Sequence, residues 1–321
     1  MSDWKPTASV ENLHKRAAIF ADIRRYFAEQ QVLEVDTAVL SQCAVSDPFI
    51  DSLDVAFRGH PDASAEMCYL QTSPEYAMKR LLAAGSGSIY QMGKVFRNGE
   101  EGRYHNPEFT MLEWYRLGFD DKNLMDDVER LVRLVLGIGP IRRCTYAEIF
   151  MEKLEVDLQE ISTAQLADVM RQHVEVNMDP DDRDGWLNLL MSHVIEPLLK
   201  EEPVFITDYP ASQSALARIK TNTDGQLTAS RFELFVNGIE LANGYHELTD
   251  PTEQQHRLEA DQRSRKQLGL PQRPLEQRLV SALAGGLPDC AGVALGVDRL
   301  IMLALQAEHI EEVIPFTFRN A

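Results

Sequence analysis

Residues 96–114 read FRNGEEGRYHNPEFTMLEW. Phe96 on one side and Phe109, Met111, Leu112 and Trp114 on the other bracket a polar loop, so the stretch predicts a strand, a charged loop and a returning strand. The loop gathers groups suited to a nucleotide. Arg97 and Arg103 can fork onto phosphate oxygens, His105 and Asn106 add polar contacts, and Phe109 offers a flat surface to a purine. An exposed hairpin of mixed charge is also an ordinary solvated turn, and segments farther along the chain decide between the two.

The first of these is RFELFVNGIELANGYHEL, residues 231–248. Asn237-Gly238 is the favoured pair for a two-residue type I′ turn, so FELFV and IELA form a tight hairpin. That register sets Val236 opposite Ile239, Phe235 opposite Glu240 and Glu233 opposite Ala242, which puts Glu233 and Glu240 diagonally on one surface. Two carboxylates so placed repel unless a cation or proton stands between them, and hard oxygen ligands suit Mg²⁺ held together with substrate phosphates. Two solvated acids on an exposed sheet face are the other reading. Downstream, Asn243, His246 and Glu247 add polar groups to a half-buried segment, where Glu247 could equally cap or pair locally. The second segment is GVALGVDR, residues 292–299, a glycine-spaced strand that delivers Arg299 from the start of a helix, with Gly296 permitting close backbone approach. Alone it also suits tight strand-to-helix packing.

Around these segments the pattern is helical and mixed. Leu13, Ala17, Phe20, Ile23 and Phe27 recur three or four apart and predict an amphipathic helix over 12–31. Val32, Leu33, Val35, Val39 and Leu40 then suit a long strand over 32–40. Thr72-Ser73-Pro74-Glu75 opens another helix, with Ser73 as cap, Pro74 in the first turn, Glu75 on the helix dipole and Gly85 past the end. Further helices are predicted at 123–136 and 163–171, and the acidic turn DPDDRDG, residues 179–185, separates two helical stretches. Residues 280–296 lead into an apolar helix whose start is rich in small residues.

At 321 residues the chain can bury a large core, and a net charge of -18 advertises no broad nucleic-acid surface. Cys43, Cys68, Cys144 and Cys290 are scattered without a CxxC pair, which suits reduced thiols packed in a cytosolic protein. The N-terminus has no apolar core of a leader, and no apolar run approaches the roughly 18 to 20 residues that span a bilayer. Export and membrane insertion are therefore not expected.

The order FRN, loop, HNPEFTMLEW, followed by the glutamate hairpin and GVALGVDR, resembles motifs 2 and 3 of the class II aminoacyl-tRNA synthetases, lysyl branch. The helix and strand over 12–40 resemble motif 1, usually a dimer element, with Ala38 where a proline is usual. The stretches TSPEYAMKRLL, GRYHNPEFTMLEWYR, PASQSALA, GIELANGYHELTD and PDCAGVALGVDRLIMLAL extend the likeness over nearly the whole chain. It lies nearest to paralogues of the lysyl enzymes that attach β-lysine to elongation factor P. The resemblance implies an α+β fold, mainly antiparallel sheet flanked by helices, as a single catalytic domain over 1–321 without an OB-fold anticodon-binding domain. It implies a cytoplasmic homodimeric ligase that uses ATP and Mg²⁺ to form (R)-β-lysyl-adenylate. The β-lysyl group then passes to a lysine ε-amine of elongation factor P, with no tRNA partner.

Residue roles carry over from the same likeness. Arg97 clamps the substrate carboxylate and α-phosphate, and Arg299 holds the nucleotide. Ser73, Pro74, Glu75, Tyr115, Asn243, Glu247 and Ala294 form the amino-acid pocket, Glu247 and Tyr115 receiving the terminal ammonium and Glu75 the other amino group. Asn98, Gly99, Glu100, His105, Asn106, Phe109, Glu240, Leu241 and Gly296 complete the ATP site, and Glu233 and Glu240 hold the metal. The chain departs from the pattern twice. Gly99 stands where a glutamate usually reads adenine, with Glu100 next, and Ala294 replaces a glycine beside the amino-acid pocket, where its methyl could favour a β- over an α-amino group. A truncated synthetase activating α-lysine and a catalytically inactive regulatory paralogue are the competing readings. The retention of Arg97, Glu233, Glu240 and Arg299 speaks against the second.

Overall fold

The computed structural model describes residues 4–60, 62, 64, 66–176, 178–222 and 224–321. In chain order the elements begin α1 (Val10–Glu29), β1 (Leu33–Glu34), β2 (Leu40–Ser41), β3 (Asp54–Phe57), β4 (Glu66–Leu70), α2 (Glu75–Ala83), β5 (Ile89–Phe96), β6 (Glu108–Leu117) and α3 (Asp121–Leu136). The middle of the chain forms β7 (Arg142–Thr145), α4 (Tyr146–Leu154), α5 (Thr163–Arg171), α6 (Arg183–Leu190), a π-helical turn (Met191–Ile195), α7 (Glu196–Leu198) and β8 (Val204–Thr207). It closes with β9 (Ile219–Thr221), β10 (Leu227–Ala229), β11 (Arg231–Val236), β12 (Ile239–His246), α8 (Pro251–Gln267), α9 (Gln277–Ala284), β13 (Cys290–Gly296) and α10 (Val297–Leu305).

An eight-stranded sheet in the order β1-β5-β6-β13-β12-β11-β8-β7 is antiparallel through its six middle strands and parallel only at its two outer pairs. This is the α+β fold expected. Side-chain alternation divides its faces. Leu112 and Trp114 of β6, Val293 and Leu295 of β13, and Phe232 and Leu234 of β11 enter one core under α1, α3 and α10, each large apolar side chain stabilising by about 1.5–3 kcal/mol. Their strand neighbours Met111, Glu113, Tyr115, Gly292, Ala294, Gly296, Arg231 and Glu233 face the opposite way and line a cavity. A second core gathers around β7, β8 and α4–α6, and a third around α2 and α9.

Local chemistry sets the element ends. Ser9 caps α1 by accepting from Asn12 N, and Asp120 with Asn123 forms a capping box at α3, interactions worth about 1 kcal/mol each. Asn237 and Gly238 have φ of 54° and 71°, the left-handed pair a type I′ turn requires. The expected strand over 32–40 is broken: β1 pairs in parallel with β5, whereas β2 leaves to join the small sheet β2-β4-β3. Residues 35–39 cross between the sheets, so apolar composition there marks a crossover and not one strand. No helix among the described residues is long and apolar enough to cross a membrane, and the four cysteines are free, three of them buried.

Candidate active site

Three segments distant in sequence meet because β6, β13 and β12 are sheet neighbours. One cross-strand row runs Tyr115, Gly292, Tyr245, Arg231, and the next runs Glu113, Ala294, Asn243, Glu233. Glycine and alanine at the middle of both rows hollow the sheet surface, and a cavity of about 500 Å³ sits over them, a size usual for small-molecule sites. Gly292 is indispensable to its shape. A Cβ there would lie 2.2 Å from the Tyr115 ring and 2.6 Å from Glu247 Oε1.

The expected register of the glutamate hairpin is corrected at one point. Phe235 faces Glu240 as predicted, but Glu233 faces Asn243 rather than Ala242, because Leu241 is an extra residue in β12. Leu241 and Ala242 are both buried in the core and meet the cavity only at its wall. A regular strand would send Glu240, Ala242 and Gly244 to one face; the bulge instead brings Glu240, Asn243, Tyr245 and Glu247 to the cavity. His246 points away and pairs with Asp289 at 3.0 Å.

Carboxylates crowd the end of the cavity nearest Gly292. Tyr115 OH donates to Glu113 Oε1 at 2.8 Å and Ser73 Oγ to Glu113 Oε2 at 2.7 Å. Burial, with the nearby Glu75 charge, pushes Glu113 up to about 7. Lys79, fully buried, lies 2.6 Å from Glu75 and 2.5 Å from Glu247. Burial opposes its charge, but the Glu247 and Glu75 carboxylates overcome it and hold the ammonium above the usual lysine range. Asn243 Oδ1 is buried without a hydrogen-bond partner. Such an acceptor beside carboxylates calls for a donor-rich cation.

Beyond Gly296 the lining turns basic. Arg299 donates to the Glu240 carbonyl at 2.7 Å and stands 2.5 Å from His105 Nε2. Burial and the Arg299 charge hold His105 below the usual histidine range, so the ring is neutral and accepts. The Arg97 guanidinium lies 5.3 Å from the Phe109 ring centre and 3.6 Å from Glu100, and its Nε is buried without a partner.

Glu233 accepts from Tyr209 OH at 2.6 Å and pairs with Arg231, while Glu240 is half exposed with Arg299 at 3.8 Å. Glu196, beneath the same hairpin, is pushed up to about 8 by burial and by the Glu240 and Glu233 charges. No group of three or more His, Cys, Asp or Glu among the described residues could hold a metal alone. Two mutually repelling carboxylates do fit a magnesium ion that takes its remaining ligands from phosphates and water.

Most of the expected site residues line this cavity: Ser73, Glu75, Arg97, Glu100, His105, Phe109, Tyr115, Glu233, Glu240, Leu241, Asn243, Glu247, Ala294, Gly296 and Arg299. Pro74, Asn98 and Gly99 do not. Asn98 instead donates to Asp51 at 2.9 Å. Gly99 has φ of 78°, a conformation that strains any residue with a Cβ, so Glu100 is the carboxylate that reaches the cavity. Asn106 lines the wall, but its amide is taken by the Glu108 carbonyl and Phe318 N. Arg103 donates to the Glu308 carbonyl outside the cavity. Sequence reasoning missed Glu113, Lys79, Arg231 and Gly292. Glu113 was within reach of it, two residues before Tyr115 on the same strand face.

A sequence model of the tRNA synthetases class II (D, K and N) matches residues 2–320. Relatives named elongation factor P–(R)-β-lysine ligase include one from Vibrio cholerae serotype O1, 48% identical over 100% of this chain and 99% of its own. One from Vibrio parahaemolyticus is 49% identical over 99% of this chain and 98% of its own. One from Salmonella gallinarum is 50% identical over the same shares, 99% and 98%.

Proposed function

This chain belongs to the class II tRNA synthetases of the D, K and N group and is a ligase, and from that premise we propose that it activates (R)-β-lysine with ATP and transfers the β-lysyl group to a lysine ε-amine of elongation factor P. One observation carries the reading. Along β13 the cavity lining changes from the carboxylates Glu75, Glu113 and Glu247 to the guanidiniums of Arg97 and Arg299, which matches a substrate with ammonium groups at one end and a carboxylate meeting phosphates at the other. The full-length likeness to the ligases above supports the same substrate and acceptor.

In the first step the β-lysine carboxylate oxygen bonds to the α-phosphorus of ATP, the bond to the bridging oxygen breaks and pyrophosphate leaves. Arg97 neutralises the α-phosphate and substrate carboxylate, Arg299 holds the nucleotide, and Glu247, Glu75, Tyr115 and Asn243 anchor the amino groups. Glu233 and Glu240 would hold Mg²⁺, whose charge offsets that of the phosphates. No base is needed, because the attacking carboxylate is already ionised. In the second step the ε-amine nitrogen attacks the adenylate carbonyl, loses a proton and expels AMP. With a pKa of about 10.4, only on the order of one amine in a thousand is free at neutral pH.

The same reading makes the chain one catalytic domain of a cytoplasmic homodimer that takes no tRNA. Leu33 at the sheet edge and Leu40, both exposed, are apolar surface that a second copy would cover, and sedimentation of the purified protein reads the dimer. The deciding test is amino-acid-dependent ATP–pyrophosphate exchange with (R)-β-lysine and with α-lysine, followed by transfer to elongation factor P and to tRNA. Preference for β-lysine with label on the protein is expected. Preference for α-lysine with label on tRNA overturns the reading in favour of a truncated synthetase, and no exchange with any amino acid favours an inactive paralogue.

A further inference from the structure

Among the described residues Lys79 is the only buried lysine, and it lies outside the cavity lining. It stands behind Glu75 and Glu247, on the face of α2 whose neighbours Met78 and Leu82 pack into an apolar core. Helix geometry explains the reach to Glu75, four residues earlier. It does not explain an ammonium, since burying one is unfavourable unless it is paired and a methionine would pack there as well. The reaction steps above give Lys79 no task.

Charge counting supplies one. Glu75, Glu113 and Glu247 are three carboxyl groups in one end of the cavity; burial favours the protonated form of Glu113 and Glu247 in the free protein, and once all three ionise Lys79 cancels one of them, leaving two negative charges for the ligand. The substrate proposed above carries two ammonium groups. Geometry supplies the other part. Lys79 takes Glu75 Oε1 and Glu247 Oε2, and Glu247 Oε1 is the oxygen that lies over the Gly292 floor.

Resting on that functional reading, we propose that Lys79 is a specificity-determining positioning residue: it sets the pocket to balance two ammonium groups, and it turns one oxygen each of Glu75 and Glu247 toward the substrate. A ligand with a single ammonium then leaves a carboxylate uncompensated, and the pocket keeps a proton that a diamino acid displaces.

The test uses the full-length enzyme and the diamino acid that the parent activates in pyrophosphate exchange. Lys79→Met is expected to raise the KM for that amino acid about 100-fold, with kcat and the KM for ATP within about threefold of the parent. Adding Glu113→Gln restores the charge count, and the double variant is expected to recover about tenfold of the lost KM. A loss of packing alone would not be rescued this way. An unchanged KM in Lys79→Met, or a double variant no better than the single, overturns the proposal. A second measurement needs no variant. Calorimetry of the parent in buffers of different ionisation enthalpy should show about one more proton released on binding β-lysine than on binding 6-aminohexanoate, and equal counts overturn the proposal. If the parent activates α-lysine and not β-lysine, the functional reading falls, while the same comparisons with α-lysine, also a double ammonium, still decide the part of Lys79.

Discussion

Ala294 sits in the middle of the cavity floor, paired with Glu113 on one side and Asn243 on the other, so its methyl lies between groups proposed above to meet the substrate's amino groups. Removing a methyl from a fitted pocket changes discrimination by about 1–3 kcal/mol. Ala294→Gly is therefore expected to raise kcat/KM for α-lysine relative to β-lysine by roughly 10- to 200-fold, and an unchanged ratio in pyrophosphate exchange would refute that role. Glu113 makes a second prediction. Its carboxyl, pushed up to about 7 in the free protein, must ionise to face an ammonium, so lowering the pH below 7 keeps it protonated and weakens binding. The KM for the diamino acid should rise about tenfold per pH unit as the pH falls from 7 to 5, whereas a flat profile would show that Glu113 is already ionised. Ala294 and Glu247 were legible in the sequence because the family pattern gives each position a role; Glu113 and Lys79 stand within quoted stretches as well, but were passed over because their chemistry depends on burial in the folded chain.

At the scale of elements, the bulge at Leu241 is the device that makes the site. Strand parity allows Glu240 or Asn243 to face the cavity, not both, and the extra residue reverses the parity between them. The sequence announces the hairpin through Asn237-Gly238 but not the bulge, since neither Leu241 nor Ala242 differs in type from a regular strand residue. A further link joins helices: Arg16 of α1 lies 2.6 Å from Asp298 at the start of α10, and Asp298 accepts from Thr110 N of β6 at 2.7 Å. Both charged groups are nearly buried. Arg16→Met strands the Asp298 charge, so unfolding in urea should show a loss of about 3–5 kcal/mol with an unaltered m value; a loss below about 1 kcal/mol would mean that Asp298 is satisfied without Arg16.

Across the whole molecule, the proposed Mg²⁺ would belong to the reaction and not to the fold, because no group of three or more His, Cys, Asp or Glu among the described residues could hold an ion alone. Chelation should abolish pyrophosphate exchange yet leave the thermal midpoint of the nucleotide-free protein within about 1 °C; a falling midpoint would reveal a structural ion. The sequence by itself determined helices α1, α2, α3, α5 and α10 and the hairpins β5–β6 and β11–β12, since periodicity and turn residues are local properties, and its family resemblance carried the α+β class. Only the tertiary structure decided that β6, β13 and β12 lie side by side, that the strand over 32–40 divides between two sheets, and which face each carboxylate takes. Those outcomes follow from long-range pairing and from one bulge, and the electrostatics of Glu113, Lys79 and Glu196 follow in turn, because a charge is perturbed by what surrounds it in space and not by its neighbours along the chain.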